Sequence, residues 1–555
     1  MSTAYFDIET DGLDSTVMHV AVIKPRHGEP IVTRCPSEAV KILNQFTQIV
    51  GHNIIGFDAP ALEKLSGGKK LTGQMYDTLL ISRVLFPDRY QHPAGGNSLK
   101  NWGEFLGFPK GDHDDWSRYS DAMRDYCIQD VEVTQKLYEY LVPLCDECGP
   151  AMRLEHQVAM IIRDQVDNGI GFDVDGGERL LAELLVEKTD LTHQLQEIFP
   201  PIVEERWSEK TGKRLKDKIT VFNPGSRVQI EQRFKEKYNW KPRSHTETGR
   251  AKIDEKVLDK LKKYPEAVLL LRYLLVEKRA SQVEQWLKYG ADGVIHGQVN
   301  TNGAVSGRMS HSKPNVAQVP AVRAKYGKRM RELFGPTRKG WVQVGADASG
   351  LELRMLAHYL ARWDGGAYGD VILNGDIHTF NQEKAGLEDR DQAKTFIYAT
   401  LYGAGATKIG TIVNGGAKEG QILKSNFERA LPALKKLKDA LAIKVARKSL
   451  RGIDGRPLPS RSDHMALNLL LQSAGAVVMK KALVILDRRL KDLHPGQYAF
   501  MANIHDEYQL ECHPSIVDSV GKEAVDAISQ AGSELNLRIQ LDGEYKTGSN
   551  WAVCH

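Results

Sequence analysis

The stretch YFDIET, residues 5–10, sets Asp7 and Glu9 either side of a single isoleucine. Side chains alternate along a strand, so the two carboxylates face one way while Phe6 and Ile8 face the other. The apolar face calls for a core beneath it. The acidic face calls for a counter-charge, because two like charges held together repel until one takes a proton or a cation sits between them. Oxygen ligands of this kind suit magnesium or manganese. A DxE pair alone is more often a solvent-facing strand edge, so its meaning depends on the rest of the chain.

Two further segments carry acids in a related setting. HNIIGFDAPAL offers Asn53 and Asp58 between a strand and a helix, and YCIQD places Tyr126 and Asp130 on one helical face. Around them, strand-like runs (MHVAVIK, FTQIVGHNI) mix with helical periodicity, as in MRDYCIQDVEVTQKLYEYLV, which is the pattern of an α/β domain. Turn-rich CDECGP closes that domain near residue 150, and an amphipathic helix is expected from Arg153 to Asn168. With 555 residues the chain exceeds one core, so at least one more domain follows.

The formal charge of +4 leaves any polyanion to a local patch. Residues 206–263 hold such an excess, 18 Lys or Arg against 8 Asp or Glu, with Tyr238, Trp240 and an NPGSR break among them. Charge alone leaves two readings open, a solvated helical hairpin or an arm that grips phosphates. No basic and apolar leader opens the chain and no apolar run is expected to span a membrane, so a cytoplasmic location is expected. Six cysteines make no disulfide framework, and the lone CxxC at Cys145 and Cys148 reads as two thiols at a helix end.

RDQAKTFIYATLYGAG is helical until Gly403 and Gly405, and it repeats Arg390, Lys394, Tyr398 and Tyr402 every fourth residue. Two cations followed by two aromatics suit a triphosphate and then a sugar or base, although such a stripe alone is more often a wet surface. WVQVGADASGLELRMLAHYL reads as a strand ending at Asp347 and then a helix. YAFMANIHDEYQLEC reads as two strands with His505 and Asp506 at a tight turn. Taken singly, these aspartates suit a helix cap and a turn.

The ordered set DxE, NxxxxD, YxxxD resembles proofreading exonucleases of the four-carboxylate class with a tyrosine. The resemblance implies that Asp7, Glu9, Asp58 and Asp130 hold two metal ions across a scissile phosphodiester, with Tyr126 orienting the attacking water. The patterns RxxxKxxxYxxxYG, DxSxxExR and HDE resemble family A DNA polymerases. This implies that Asp347, Asp506 and the Ala348 carbonyl bind two magnesium ions, that Arg390, Lys394 and His378 (in NGDIHT) grip phosphates, and that Tyr398 packs on the incoming sugar. It also implies that Tyr402 covers the template position, that Glu352 excludes a ribose 2′-hydroxyl, and that Glu507 supports the site from behind. Arg308 (in TNGAVSGRMSHSKPNVAQVP) and Gln472 (in ALNLLLQSAGA) would donate to minor-groove acceptors common to all correct pairs, and His505 would also contact DNA.

Taken whole, the chain resembles the replicative members of that family from T-odd podophages, especially in DASGLELR, NGDIHT, RDQAKTFIY and the ending NWAVCH. The implied fold is an α/β exonuclease domain over 1–150, a ribonuclease H-like mixed sheet with helices, followed by an α+β right-hand polymerase domain over 151–555. Its thumb is expected at about 180–300, its palm at about 301–362 and 464–555, and its fingers at about 363–463. The implied activity is DNA-templated primer extension with 3′-5′ proofreading in phage replication, using two Mg2+ per site, for which Mn2+ can substitute. Implied partners are primer–template DNA, deoxynucleoside triphosphates and a replicative helicase–primase, with no membrane, and the chain is expected to be a monomer. The stretch PPIVEERWSEKTGKRLKDKIT is far shorter than the thumb insertion that recruits thioredoxin in a phage relative, which argues against that clamp. With no 5′-nuclease region ahead of the exonuclease, nick translation is not expected. A single-subunit RNA polymerase would conflict with Glu352 and the exonuclease set. A decayed, non-catalytic homologue would not be expected to keep all six acids.

Overall fold

β1 (Thr3–Thr10) is the middle strand of a five-stranded mixed sheet with β2 (Met18–Pro25), β3 (Ile31–Thr33), β4 (Gln48–Gly51) and β5 (Gln74–Asp77), in the order β3–β2–β1–β4–β5. β1 runs antiparallel to β2 and parallel to β4. In this computed structural model, which describes residues 2–88, 92–242, 244–246 and 248–554, the alternation expected for YFDIET holds. Phe6 and Ile8 enter a core with Ile49, Ile54 and Leu62, while Tyr5 packs on the other face with Val20, Cys127 and Val131. Asp7 and Glu9 share the face of Tyr5, under the helix Asp121–Leu141.

The helix expected from Arg153 starts at Gly149 instead and runs to Asn168. Pro150 explains the difference, because its fixed φ and missing N–H suit the first turn of a helix, so the apparent terminator is the helix start. Gly169, at φ +72°, ends that helix and leads into β6 (Ile170–Phe172).

The basic stretch is not a helical hairpin. Its first part is a β-hairpin of β7 (Ile202–Trp207) and β8 (Arg214–Thr220), followed by the helix Arg227–Tyr238, which Ser226 caps. β-branched residues pair across the strands, Val203 opposite Ile219, and Gly212 at φ +63° allows the turn, which favours strand over helix. Arg243 and Glu247 of this stretch, and His555 of the NWAVCH ending, lie outside the described residues. Two long helices, Val174–Ile198 and Pro265–Tyr289, pack on each other beside it.

β9 (Val294–Ile295) pairs with β6, whose other edge takes β12 (Phe334–Gly335), while β10 (Gln298–Asn300) and β11 (Ser310–Ser312) form a separate ribbon. The last sheet is fully antiparallel, in the order β14–β15–β13–β16, from β13 (Val342–Ala348), β14 (Tyr498–Ile504), β15 (Glu507–Cys512) and β16 (Gly543–Gly548). The helices Leu351–Asp364, Asp463–Leu493 and Val517–Glu534 share its large core. The expectation that no segment is apolar enough to span a membrane needs correcting, since Asp463–Leu493 passes that test by length and hydropathy. Its most apolar window is 78% buried inside the fold, which accounts for the hydrophobicity as core packing.

Candidate active sites

The first site forms where β1 meets two helices. Asp58 opens the helix Asp58–Leu65, and its carboxylate accepts the Ile8 amide at 3.2 Å, which fixes it against β1 between Asp7 and Glu9. Asp130 and Tyr126 come from the helix Asp121–Leu141, whose Cys127 donates to the Asp7 backbone carbonyl. Ligand atoms of Asp7, Glu9 and Cys127 lie within 4.8 Å of one another. Asp7 and Glu9 therefore meet, Asp58 is bonded to the strand between them and Asp130 lies near enough to act on Glu9 by its charge; Glu9, Asp58 and Asp130 are buried and Asp7 is half-buried.

Their electrostatics follow from that burial. Glu9 is pushed up to about 10, first by loss of solvent and then by the charges of Asp7 and Asp130. Burial also holds Asp7 well above the ordinary carboxyl range, with Asp58 adding to it. Asp130 rises to about 7 for the same first reason, opposed by Lys110. Glu9 Oε1 and Asp130 Oδ1 are buried without a hydrogen-bond partner among the described residues. Orphaned carboxylate oxygens under mutual repulsion fit a hard divalent cation. Burial keeps the Cys127 thiol protonated, so the donor set does not suit a thiolate-bound metal.

Lys110 is the residue that sequence reasoning missed. Its Nζ stands 2.5 Å from Asp130 Oδ2 and 4.7 Å from the centroid of the Tyr126 ring. It lies in a loop outside any recognisable motif, and its only signal is a lysine just ahead of the acids of KGDHDD. Asn53 serves the turn instead: at φ +67° its amide donates to Asp77 Oδ1 at 2.8 Å.

The second site sits at one end of the last sheet. Asp347 lies opposite Glu507 across β13 and β15, and the Ala348 amide donates to the Asp506 carbonyl at 3.0 Å. Two aspartates far apart in sequence thus stand at neighbouring strand ends. Burial raises the pKa of Asp506. Glu507 is buried and accepts Trp551 Nε1 at 2.5 Å together with Gln509 Nε2, so it braces the strand end rather than opening toward solvent.

Glu352 is held from two sides. Arg308 donates to it at 3.2 Å, and the Tyr402 hydroxyl lies 2.9 Å from both carboxylate oxygens. Tyr398 is near enough that the charges of Glu352 and Asp506 add to burial in raising its pKa. His505 takes φ +58° at the turn, and burial and then Arg308 pull its pKa down. Arg308 and His505 line one small cavity with Met479, Lys480 and Asn503. Gln472 is half-buried on the helix Asp463–Leu493 and is not bonded to Arg308 or Glu352.

Arg390 opens the helix Arg390–Leu401 and donates to Asp376 at 2.7 Å, and Asp376 itself caps the helix Ile377–Ala385. His378 is pulled down by burial and then by Arg390 and Lys394, so both cations lie near it, and its Nδ1 is buried without a partner among the described residues. Tyr402 departs from the expected stripe. It follows the helix as its C-cap, just before Gly403 turns at φ +69°, and so reaches Glu352.

Residues 203–553 match the family model for DNA polymerase family A. The chain belongs to that family. It is 34% identical to the DNA-directed DNA polymerase of Escherichia phage T7 over 702 aligned residues, covering 99% of each chain. Identity is also 34% to the DNA-directed DNA polymerase of Enterobacteria phage T3, covering 91% of this chain and 92% of the relative. DNA polymerase I of Geobacillus stearothermophilus is 26% identical over 72% of this family A polymerase and 45% of its own length. The alignment to the T7 enzyme is longer than the 555 residues here, so that relative carries segments this polymerase lacks. The acids of the first site precede the matched family region, whereas the T7 alignment runs through them.

Proposed function

We infer that this enzyme extends the 3′ end of a primer on a DNA template with deoxynucleoside triphosphates in phage replication, and that residues 1–150 trim the same end as a 3′-5′ exonuclease. The observation that carries the reading is the pairing of the Asp347 and Asp506 strand ends beside the Glu352–Tyr402 contact. In this reading residues 151–555 form the polymerase right hand, with the basic stretch 206–263 in a thumb over duplex DNA.

Asp347, Asp506 and the Ala348 carbonyl would hold two Mg2+, and Asp7, Glu9, Asp58 and Asp130 two more. When bound, the ions supply Lewis-acid activation of the attacking oxygen and neutralise charge on the leaving group. The chain's own residues do the rest. Arg390, Lys394 and His378 receive the triphosphate, and Asp376 holds the Arg390 guanidinium ready for it. Tyr398 packs on the sugar. Glu352, fixed by Arg308 and Tyr402, fills the space a 2′-hydroxyl would need. Arg308 and Gln472 test the new pair through minor-groove acceptors, and His505 contacts DNA beside them. In the trimming site Tyr126 orients the attacking water, and Lys110 holds positive charge against Asp130.

A replicative helicase–primase is the expected partner. The short hairpin of β7 and β8, in place of a longer thumb segment, disfavours a thioredoxin clamp. Primer extension on a long template at rising salt, with and without thioredoxin, tests catalysis and clamp dependence together. Extension that is indifferent to thioredoxin supports the reading, and absence of extension refutes it.

A further inference from the structure

Glu155 and His156 are consecutive residues on the helix Gly149–Asn168, yet they bond to opposite parts of the molecule. Glu155 is fully buried and accepts from Lys480 and from Arg456, each at 2.6 Å. Arg456 also pairs with Asp454 at 2.7 Å, so two cations and two anions form a neutral, buried quartet in the order Asp454–Arg456–Glu155–Lys480. Such a quartet loses solvation that apolar packing would not lose, so its retention calls for a reason other than stability.

The remaining bonds of Lys480 suggest that reason. Its ammonium donates to the Thr301 and Gly307 carbonyls, both at 2.7 Å, and so clamps the two ends of the turn that presents Arg308. The Arg456 guanidinium packs so closely that a Cβ on Gly307, already at φ +79°, would come within 2.0 Å of it. Lys480 also lies two turns beyond Gln472 on one helix. Burial draws Lys480 down to about 8, and Glu155 opposes that loss of charge.

On the other side, His156 Nε2 accepts the Asp77 amide at 2.8 Å. The Asp77 carboxylate takes the Asn53 and Ile55 amides at 2.8 and 3.2 Å, which shapes the turn leading into Asp58.

We propose that the helix Gly149–Asn168 is a shared strut in which Glu155, acting through Lys480, positions Arg308 for extension, while His156, acting through Asp77, positions Asp58 for excision. Both are positioning residues. The proposal rests on the functional reading above.

The test compares extension of matched and mismatched primer ends by the full chain, with excision of single strands measured in parallel. Glu155→Gln keeps the size and removes the charge. It is expected to cut the preference for matched over mismatched ends about tenfold, the scale of one lost groove contact, and to leave excision unchanged. In an Arg308→Ala background the same change is expected to add nothing, because Glu155 acts through Arg308. His156→Phe is expected to slow excision about tenfold at unchanged extension. Should Glu155→Gln fail to fold, Glu155→Asp, which keeps the charge and shortens the reach, is read in the same way. An unchanged preference, or an equal loss with Arg308 already removed, overturns the proposal. Asp506→Ala separates the two failures: persistent extension in that variant would instead sink the functional reading.

Discussion

Lys110 offers the sharpest perturbation, because it is a cation already lodged among acids that want one. Replacing it by methionine keeps most of its stem and removes its charge. Even with Lys110 at 2.5 Å, burial and the charge of Asp7 push Asp130 up to about 7, well above the ordinary 3.8. Since the folded value lies above the unfolded one, this carboxyl supports folding most fully in acid, and the support is lost as pH rises through about 7. Without Lys110 the proton is retained at pH 8, and one pH unit of retention is about 1.4 kcal/mol. The lost contact with the Tyr126 ring adds roughly 0.5–1 kcal/mol. Lys110→Met is therefore expected to lower stability by about 2 kcal/mol at pH 8 in chelator. At pH 5, where Asp130 is protonated in both folded proteins, only the ring contact is lost, roughly 0.5–1 kcal/mol. Urea unfolding, followed by hydrogen exchange of the β1 amides, reads the difference. Saturating manganese should shrink the loss at pH 8. An equal loss at both pH values and with metal would mean that Lys110 is only a packing strut.

Other expectations follow from the two sites. Asp506→Ala should lower primer extension by at least about a thousandfold while single-strand excision continues, as measured on one labelled primer. Asp7→Ala with Glu9→Ala should do the reverse and should raise stability in chelator, because the repelling pair is gone. Glu352→Ala should ease ribonucleotide incorporation about a hundredfold, and Tyr402→Phe, which loses only the hydroxyl bonded to Glu352, should show a smaller shift in the same direction.

Local patterns were readable where a side chain's neighbours are set by the period of its own element. Alternation along β1 placed Asp7 and Glu9 together, and the four-residue spacing placed Tyr126 over Asp130. The strand–turn–strand around Asp506 was equally legible. What could not be read was contact across the chain. Nothing in the spacing of Asp347 and Asp506 predicts a shared strand end, and only the resemblance linked them. Lys110 belongs to no periodic segment, and the buried partners of Glu155, Arg456 from a turn and Lys480 from a helix, lie more than three hundred residues away. The late helix start assigned to Arg153 came from treating Gly149–Pro150 as a stop, although proline is at home in a first turn.

The most direct measurement is anomalous diffraction from manganese in crystals holding primer–template and an incoming nucleotide. Paired peaks among Asp7, Glu9, Asp58 and Asp130, with Lys110 moved off Asp130, and a second pair beside Asp347 and Asp506, are the predicted result. Peaks missing from either place, with its carboxylates turned to basic side chains, would contradict the account.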